Sequence, residues 1–389
     1  MRRLQGGVAT ICAATIVGAL ASEAIAVSFT RLGVLEGDAY SVAADVSADG
    51  TTVVGRSVSA SGDVRPFIWD SVDGMRTIST LPAGSGSYAL RVSADGSTVL
   101  GHGGFGAFIW DEVGGARTID PLPLHSQVDL RDLSADGSTV VGRSRGVEHR
   151  AFIWDEVNGT RDLGDLTGDY SLSAYGVSAD GSTVVGSAPA PAGQEAYVWD
   201  PAGGILRLGF LPGGGAGGGS GAFALSGDGS VVAGYSVTPT TAEGFAWDAA
   251  NGMRGFGDLG GAWPQSIAFD VSDDGSVVVG TGAGDEAGTQ TFIWDEENGM
   301  RDLVAMLAAG GIDLSGWQMG FVPRDHERPS VSGDGRTVVG FGFYQGQRAS
   351  YVAFIPEPST AVLLGFGLAL CSGISGRNAG AGRIAVSRG

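Results

Sequence analysis

The sequence predicts an all-β fold, a seven-bladed β-propeller of four-stranded blades, and three observations predict it. First, a phrase of the form Val-Ser-Ala-Asp-Gly-Ser-Thr-Val-Val-Gly recurs seven times. Its aspartates are Asp49, Asp95, Asp136, Asp180, Asp228, Asp274 and Asp334, at intervals of 46, 41, 44, 48, 46 and 60 residues. Second, a phrase typified by Phe-Ile-Trp-Asp follows at Phe67, Phe108, Phe152, Tyr197, Phe245 and Phe292, and a Gly-containing turn and an Arg-bearing segment follow it. Four short strands in about 45 residues is the size of one propeller blade. Third, one unit is split between the ends. Phe29-Thr-Arg-Leu-Gly-Val-Leu35 reads like the fourth-strand phrase Thr160-Arg-Asp-Leu-Gly-Asp-Leu166, while the seventh copy stops after its third strand at Phe354-Ile355. Pairing the two would close the ring by the N-terminal strand and leave no open edge.

Composition agrees. Glycine supplies 69 of 389 residues, which disfavours long helices at roughly 1 kcal/mol per interior position. Yet 43% of residues are hydrophobic and 17% charged, too apolar a balance for a chain that stays unfolded. There are 42 acidic residues against 23 basic, a net charge of −19, and every basic residue is an arginine. Nucleic acid as a partner is therefore disfavoured, and Schiff-base or phosphate-loop lysine chemistry is excluded.

Taken in chain order, residues 1–26 read as a signal peptide. Arg2 and Arg3 precede an apolar, small-residue run, and Ala24 and Ala26 occupy the −3 and −1 positions of a cleavage site. Residues 27–355 form the propeller. Within each unit the Asp-Gly pair reads as a two-residue type I′ hairpin turn joining the first two strands. The strand before it, rich in small residues as in Ser173-Ala-Tyr-Gly-Val-Ser178, is placed innermost, and the Arg-bearing strand outermost. The third-strand Phe and Trp are expected between neighbouring blades. The folded body contains no cysteine, since Cys12 and Cys371 lie in the terminal segments, so its core must suffice without disulfides.

The 60-residue interval contains an insert, Val304 to Glu327, in which a short helix is expected from Leu303 to Ala309. It either pads the closing blade or carries ligand groups, for which Trp317, Arg324 and His326 are the candidates. Residues 356–389 form the last segment. Pro356-Glu357-Pro358 halts the preceding strand and opens an apolar stretch of about 16 residues that Arg377 terminates.

Periodic residues are read as structural. The Trp-Asp aspartates and the fourth-strand arginines recur once per unit, as ion pairs or turn caps require. The Asp-Gly aspartates lack the spacing of a calcium loop and fit turn chemistry. His102, His125, His149 and His326 show no metal-ligand spacing, and Gly218-Gly-Ser220-Gly-Ala222 lacks the last glycine of a nucleophile elbow and sits in a flexible run. No catalytic, cofactor-binding or metal-binding residue is assigned, and no cofactor is implied.

Two resemblances follow from these residues. The tail from Pro356-Glu357-Pro358 through the apolar stretch to Arg377 resembles the PEP-CTERM sorting signal of bacterial surface proteins. That resemblance implies an exosortase-type processing partner, transient membrane anchoring through a C-terminal hydrophobic helix, and a host that makes exopolysaccharide. The repeat, with Ala107-Phe108 and Ala151-Phe152 as its closest copies, resembles the extracellular HAF-type repeat. Together they imply an exported, surface-sorted, noncatalytic binding or structural module of the cell envelope or exopolysaccharide matrix. The alternative is a polysaccharide-cleaving propeller enzyme, because carboxylate pairs for such chemistry converge in space and not in sequence.

Overall fold

The computed structural model describes residues 26–356, apart from 79–80, 82–85, 165–171, 192, 216–217, 261–264, 284–287 and 320–326. Ala26 and Pro356 lie at its edges. Ala24, Glu357, Pro358 and Arg377 fall outside the described residues, as do Arg324 and His326 of the insert. Val27–Ile355 form one compact unit.

That unit is a β-propeller of seven antiparallel sheets. Blade 3 shows the plan, with strands Gln127–Leu133, Thr139–Arg145, His149–Asp155 and Gly159–Asp162 paired in sequence order from the axis outward. In the seventh sheet, Ser28–Arg31 pairs with Gln347–Phe354, matching Ser28 to Phe354 and Arg31 to Tyr351. The N-terminal strand therefore supplies the missing outer strand, as the split unit requires. The inner strand of this blade is also composite: Ser330–Val331 pairs with Val338 and Val339, and Trp317–Gln318 pairs with Phe343 and Tyr344.

The two repeated phrases are mechanically coupled. Gly142, which ends Thr-Val-Val-Gly, lies opposite Phe152 of the third strand. A Cβ on Gly142 would stand 2.2 Å from the Asp129 carbonyl oxygen and 3.0 Å from the Phe152 ring. The absent side chain is the space the aromatic ring occupies, and the same relation holds for Gly55 with Phe67 and Gly280 with Phe292. Side chains alternate along the third strand, so Phe and Trp face the preceding blade while the intervening Ile faces the next. Ile109 of blade 2 accordingly shares a core with Phe152 and Trp154 of blade 3. Ile68 of blade 1 does the same with Phe108 and Trp110 of blade 2.

The Asp-Gly turn differs from the expected type I′ hairpin. Gly50 has φ +73°, but Asp49 is not among the residues with positive φ. The Gly50 amide instead donates to the Ser47 carbonyl at 2.9 Å, and the Ser47 amide to the Thr52 carbonyl at 2.9 Å, giving a four-residue loop around a type I turn. Ser47 Oγ donates to Asp49 Oδ1 (2.7 Å) and accepts from the Thr52 amide (2.9 Å), and the same pattern runs through to Ser332, Asp334 and Thr337.

The longer loop frees one residue per blade to bond around the axis. Ala48 donates to Ala94 (3.0 Å), Ala94 to Ala135 (2.9 Å), Ala135 to Ala179 (3.1 Å) and Ala179 to Gly227 (2.9 Å). Gly227 then donates to Asp273 (2.9 Å) and Asp273 to Gly333 (2.9 Å), and Asp334 returns to Ala48 (3.1 Å). A two-residue turn would leave no backbone for this circle. It closes the propeller by main-chain bonds alone.

The periodic ion pairs are present as read. Arg76 meets Asp70 at 2.7 Å, Arg117 meets Asp111 at 2.8 Å and Arg254 meets Asp248 at 2.9 Å, and Arg161–Asp155 and Arg301–Asp295 pair likewise. Each aspartate also caps its turn, as Asp70 does by accepting from Val72 and Asp73. Blade 4 departs from the pattern because one extra residue separates Asp200 from Arg207, and Arg207 pairs with Glu195 at 3.1 Å.

The insert forms the expected helix, Leu303–Ala309, with Asp302 as N-cap and Leu303 and Leu307 buried. Trp317 packs into the closing seam, 5.0 Å edge-on from Phe29 and 5.4 Å from Tyr344. The helix and Trp317 of the insert therefore pack at the seam between the sixth and seventh blades. Ser220, expected in a flexible run, begins the inner strand of blade 5, where its buried hydroxyl bonds the Gly209 carbonyl at 2.7 Å. No helix among the described residues is long and apolar enough to cross a membrane.

Candidate functional site

The central channel is where the blades stop being alike. Inner strands carry a bulge one turn before the repeated serine, for example between Leu130 and Asp132 or between Ala268 and Asp270. An extra residue there re-aims side chains toward the axis. Two layers of non-repeating groups result.

The deeper layer consists of Asp45, Arg91, Asp132, Asp270 and Ser330, with Gly176 and Ala224 completing the circle. Each aspartate ties one blade to the next: Asp45 accepts from the Val92 amide, Asp132 from Val177 and Asp270 from Val331, all at 2.9 Å. Arg91 reaches Asp132 at 3.2 Å. Ser330 Oγ lies 2.7 Å from Asp45 and 2.6 Å from Asp270. A hydroxyl has one proton to donate, so Ser330 donates to only one of the two acids at a time, and a proton on the other would let both contacts hold.

The charges argue the same way. Three carboxylates share one guanidinium. Arg91 and Asp132 retain side-chain exposures of 30% and 23%, and both line a channel cavity of about 120 Å³. Burial pushes Asp132 up to about 6 against the pull of Arg91. Burial, then repulsion from Asp45, pushes Asp270 up to about 6. Asp45 is also raised by burial.

The outer layer is a belt of arginine and aromatic side chains at the bulges: Arg131, Tyr175, Phe223 and Phe269, joined by Arg328 from the segment leading into blade 7. The Arg328 guanidinium lies over Phe223 (4.6 Å) and Phe269 (4.7 Å), and Arg131 lies 5.5 Å from the Tyr175 ring. Tyr175 meets Phe223 edge-on at 5.2 Å, and Phe223 meets Phe269 at 5.7 Å. Beyond the belt, Glu327 is buried between Arg56 (2.6 Å) and Arg348 (2.7 Å).

None of these residues belongs to the repeated phrases, which is why a search for recurring chemistry passes over them. A signal was present nonetheless. The third residue before the repeated serine reads Ala44, Leu90, Arg131, Tyr175, Phe223, Phe269 and Pro329, varied side chains inside an otherwise regular phrase. Of the insert candidates, Trp317 is drawn into the closing seam and away from this belt. Among the described residues no group of three or more His, Cys, Asp or Glu side chains is placed to hold a metal ion.

No protein-family model matches the chain, and neither does any curated protein. Solved structures do. An oligogalacturonate lyase in complex with manganese is similar over 86% of this chain and 97% of its own, at 13% identity and a TM-score of 0.58. The oligogalacturonate lyase of Vibrio parahaemolyticus gives 86%, 98%, 13% and 0.56 on the same measures. The β-propeller domain of the Trilobed protease from Pyrococcus furiosus, described as an open velcro topology, gives 82%, 94%, 14% and 0.53. These likenesses establish the fold. In contrast to that topology, the ring here is closed by strand pairing and by the axial circle of amides.

Proposed function

We propose that this protein is an exported, surface-sorted β-propeller that binds polysaccharide of the cell envelope or exopolysaccharide matrix without cleaving it. The carrying observation is the belt. In a chain of net charge −19, arginines and aromatic rings gather where the repeats diverge. Aromatic faces offer apolar platforms to sugar rings, and guanidinium forks offer paired donors to their substituents. The Ala24 and Ala26 cleavage site and the Pro356-Glu357-Pro358 tail with Arg377 support export and processing by an exosortase-type enzyme, with passage through a membrane-anchored stage.

Polysaccharide cleavage is the second reading. Asp132 and Asp270, titrating at about 6, have the proton affinity of general acids near neutrality. Their oxygens, however, already accept the Val177 and Val331 amides. Incubating the purified chain with the producing organism's surface polysaccharide, and assaying both retention and new chain ends, separates the readings. Retention without new ends is the expected result. New ends at enzymatic rates would establish the second reading, and absence of retention would reject the first.

A further inference from the structure

Between the belt and the charged layer lies a small pocket of about 30 Å³, lined by Leu90, Arg91, Arg131, Tyr175, Phe223 and Arg328 among others. Three of its lining residues are arginines, and none is an Asp or Glu. The three cations are not equivalent. Arg91 is matched by Asp132 at 3.2 Å, and Arg328 lies over two phenylalanine rings. Arg131 makes a cation–π contact with Tyr175, but no carboxylate pairs with it among the described residues, and its buried Nε has no hydrogen-bond partner. A guanidinium held partly out of water without an anion is costly, and a neighbouring like charge adds to the cost. A bound anion removes both penalties.

We infer that this pocket takes the carboxylate of an acidic saccharide, with Arg131 as its principal hook. The inference rests on the polysaccharide reading and narrows it to a ligand class. The innermost space is small enough to suit a carboxylate group, and the recess opens outward past the belt. A planar carboxylate matches the paired donors of an arginine fork. The ring bearing it would then remain outside, against Tyr175 and Phe223. Charge complementarity here is local: arginines line the pocket, and the acids Asp45, Asp132 and Asp270 line the neighbouring channel that Arg91 also borders.

The test is equilibrium binding to the full chain, with D-glucuronate and a glucuronate-containing polysaccharide as acidic probes. Glucose and the carboxyl-reduced polysaccharide serve as neutral counterparts. At least tenfold weaker binding of the reduced forms is expected, as is a similar loss for Arg131→Gln at unchanged melting temperature. Equal binding of acidic and reduced ligands to the unaltered protein would overturn the inference while leaving the polysaccharide module intact. Acetate binding as tightly as glucuronate would overturn the saccharide assignment. Arg131-dependent glucuronate binding, with no polysaccharide retained, would uphold the pocket and reject the broader function. Because the reduced ligand probes the unaltered chain, the test does not depend on the variant folding.

Discussion

Arg131 and Asp136 are five residues apart, yet they answer to different demands. Asp136 sits in a turn found in every blade, where Ser134 Oγ donates to it at 2.7 Å and its neighbour Ala135 joins the axial circle. Arg131 sits at a bulge whose counterparts are Ala44, Leu90, Tyr175, Phe223 and Phe269. One position must be the same in every blade because seven identical loops have to meet around one axis. The other is released from that requirement, since a bulged residue pairs with nothing and points into the channel. The repeat thus builds the frame, and its exceptions furnish the site.

The sharpest way to break the frame is to open the ring. Deleting residues 27–35 removes the strand paired with Gln347–Phe354, together with buried Leu32 and Leu35 and the Phe29 contact with Trp317. A loss of more than 5 kcal/mol, roughly the sum for three such side chains, is expected in denaturant unfolding. A melting curve like that of the intact chain would show that the amide circle closes the propeller by itself. Next in size is Gly142→Ala. Its methyl group would collide with the Asp129 carbonyl, so a destabilisation of about 3 kcal/mol is expected by the same measurement.

The channel acids sharpen the comparison through pH. Asp132 and Asp270 titrate at about 6, above the ordinary 3.8. The folded chain therefore binds more protons than the unfolded chain between about pH 4 and 6, and stability falls as pH rises through that window. The repeated turn carboxylates act oppositely. Asp180, lowered to about 2 chiefly by the Ser178 hydroxyl, contributes stability that is complete above about pH 4 and lost as pH falls toward 2. The melting temperature should accordingly peak between about pH 4 and 5. Asp270→Asn, which mimics the protonated acid, should raise stability at pH 7 by on the order of 2 kcal/mol and flatten the slope above the peak. Smaller again is Asp180→Ala, which removes from one of seven equivalent loops the exposed carboxylate that accepts from Ser178 and Ser182, and should cost about 1 kcal/mol in thermal unfolding.

How much of this could be read from the chain follows the same division. The blade count, the strand order and the shared closing blade were legible because each rests on a recurring phrase or on its truncation, and the Leu303–Ala309 helix because its local run of apolar and small residues departs from the strand pattern. The turn type was not: Asp-Gly between apolar runs signals a tight hairpin locally, and the demand for an axial hydrogen-bond circle is a property of seven copies together. The belt escaped for the opposite reason. Arg131, Tyr175, Phe223 and Phe269 are 44 to 138 residues apart, and only the bulges bring them to one ring. Trp317 drew attention as an exception in sequence, but its apolar surface is consumed in packing the seam.

The most direct test compares Arg131→Gln and Asp136→Ala in one experiment that records melting temperature and retention on acidic polysaccharide. A crossed outcome is predicted: Arg131→Gln melts with the parent and loses retention at least tenfold, whereas Asp136→Ala melts earlier and is retained normally. An Arg131→Gln protein that melts early while holding the polysaccharide as tightly as the parent would contradict the division of labour between repeat and exception.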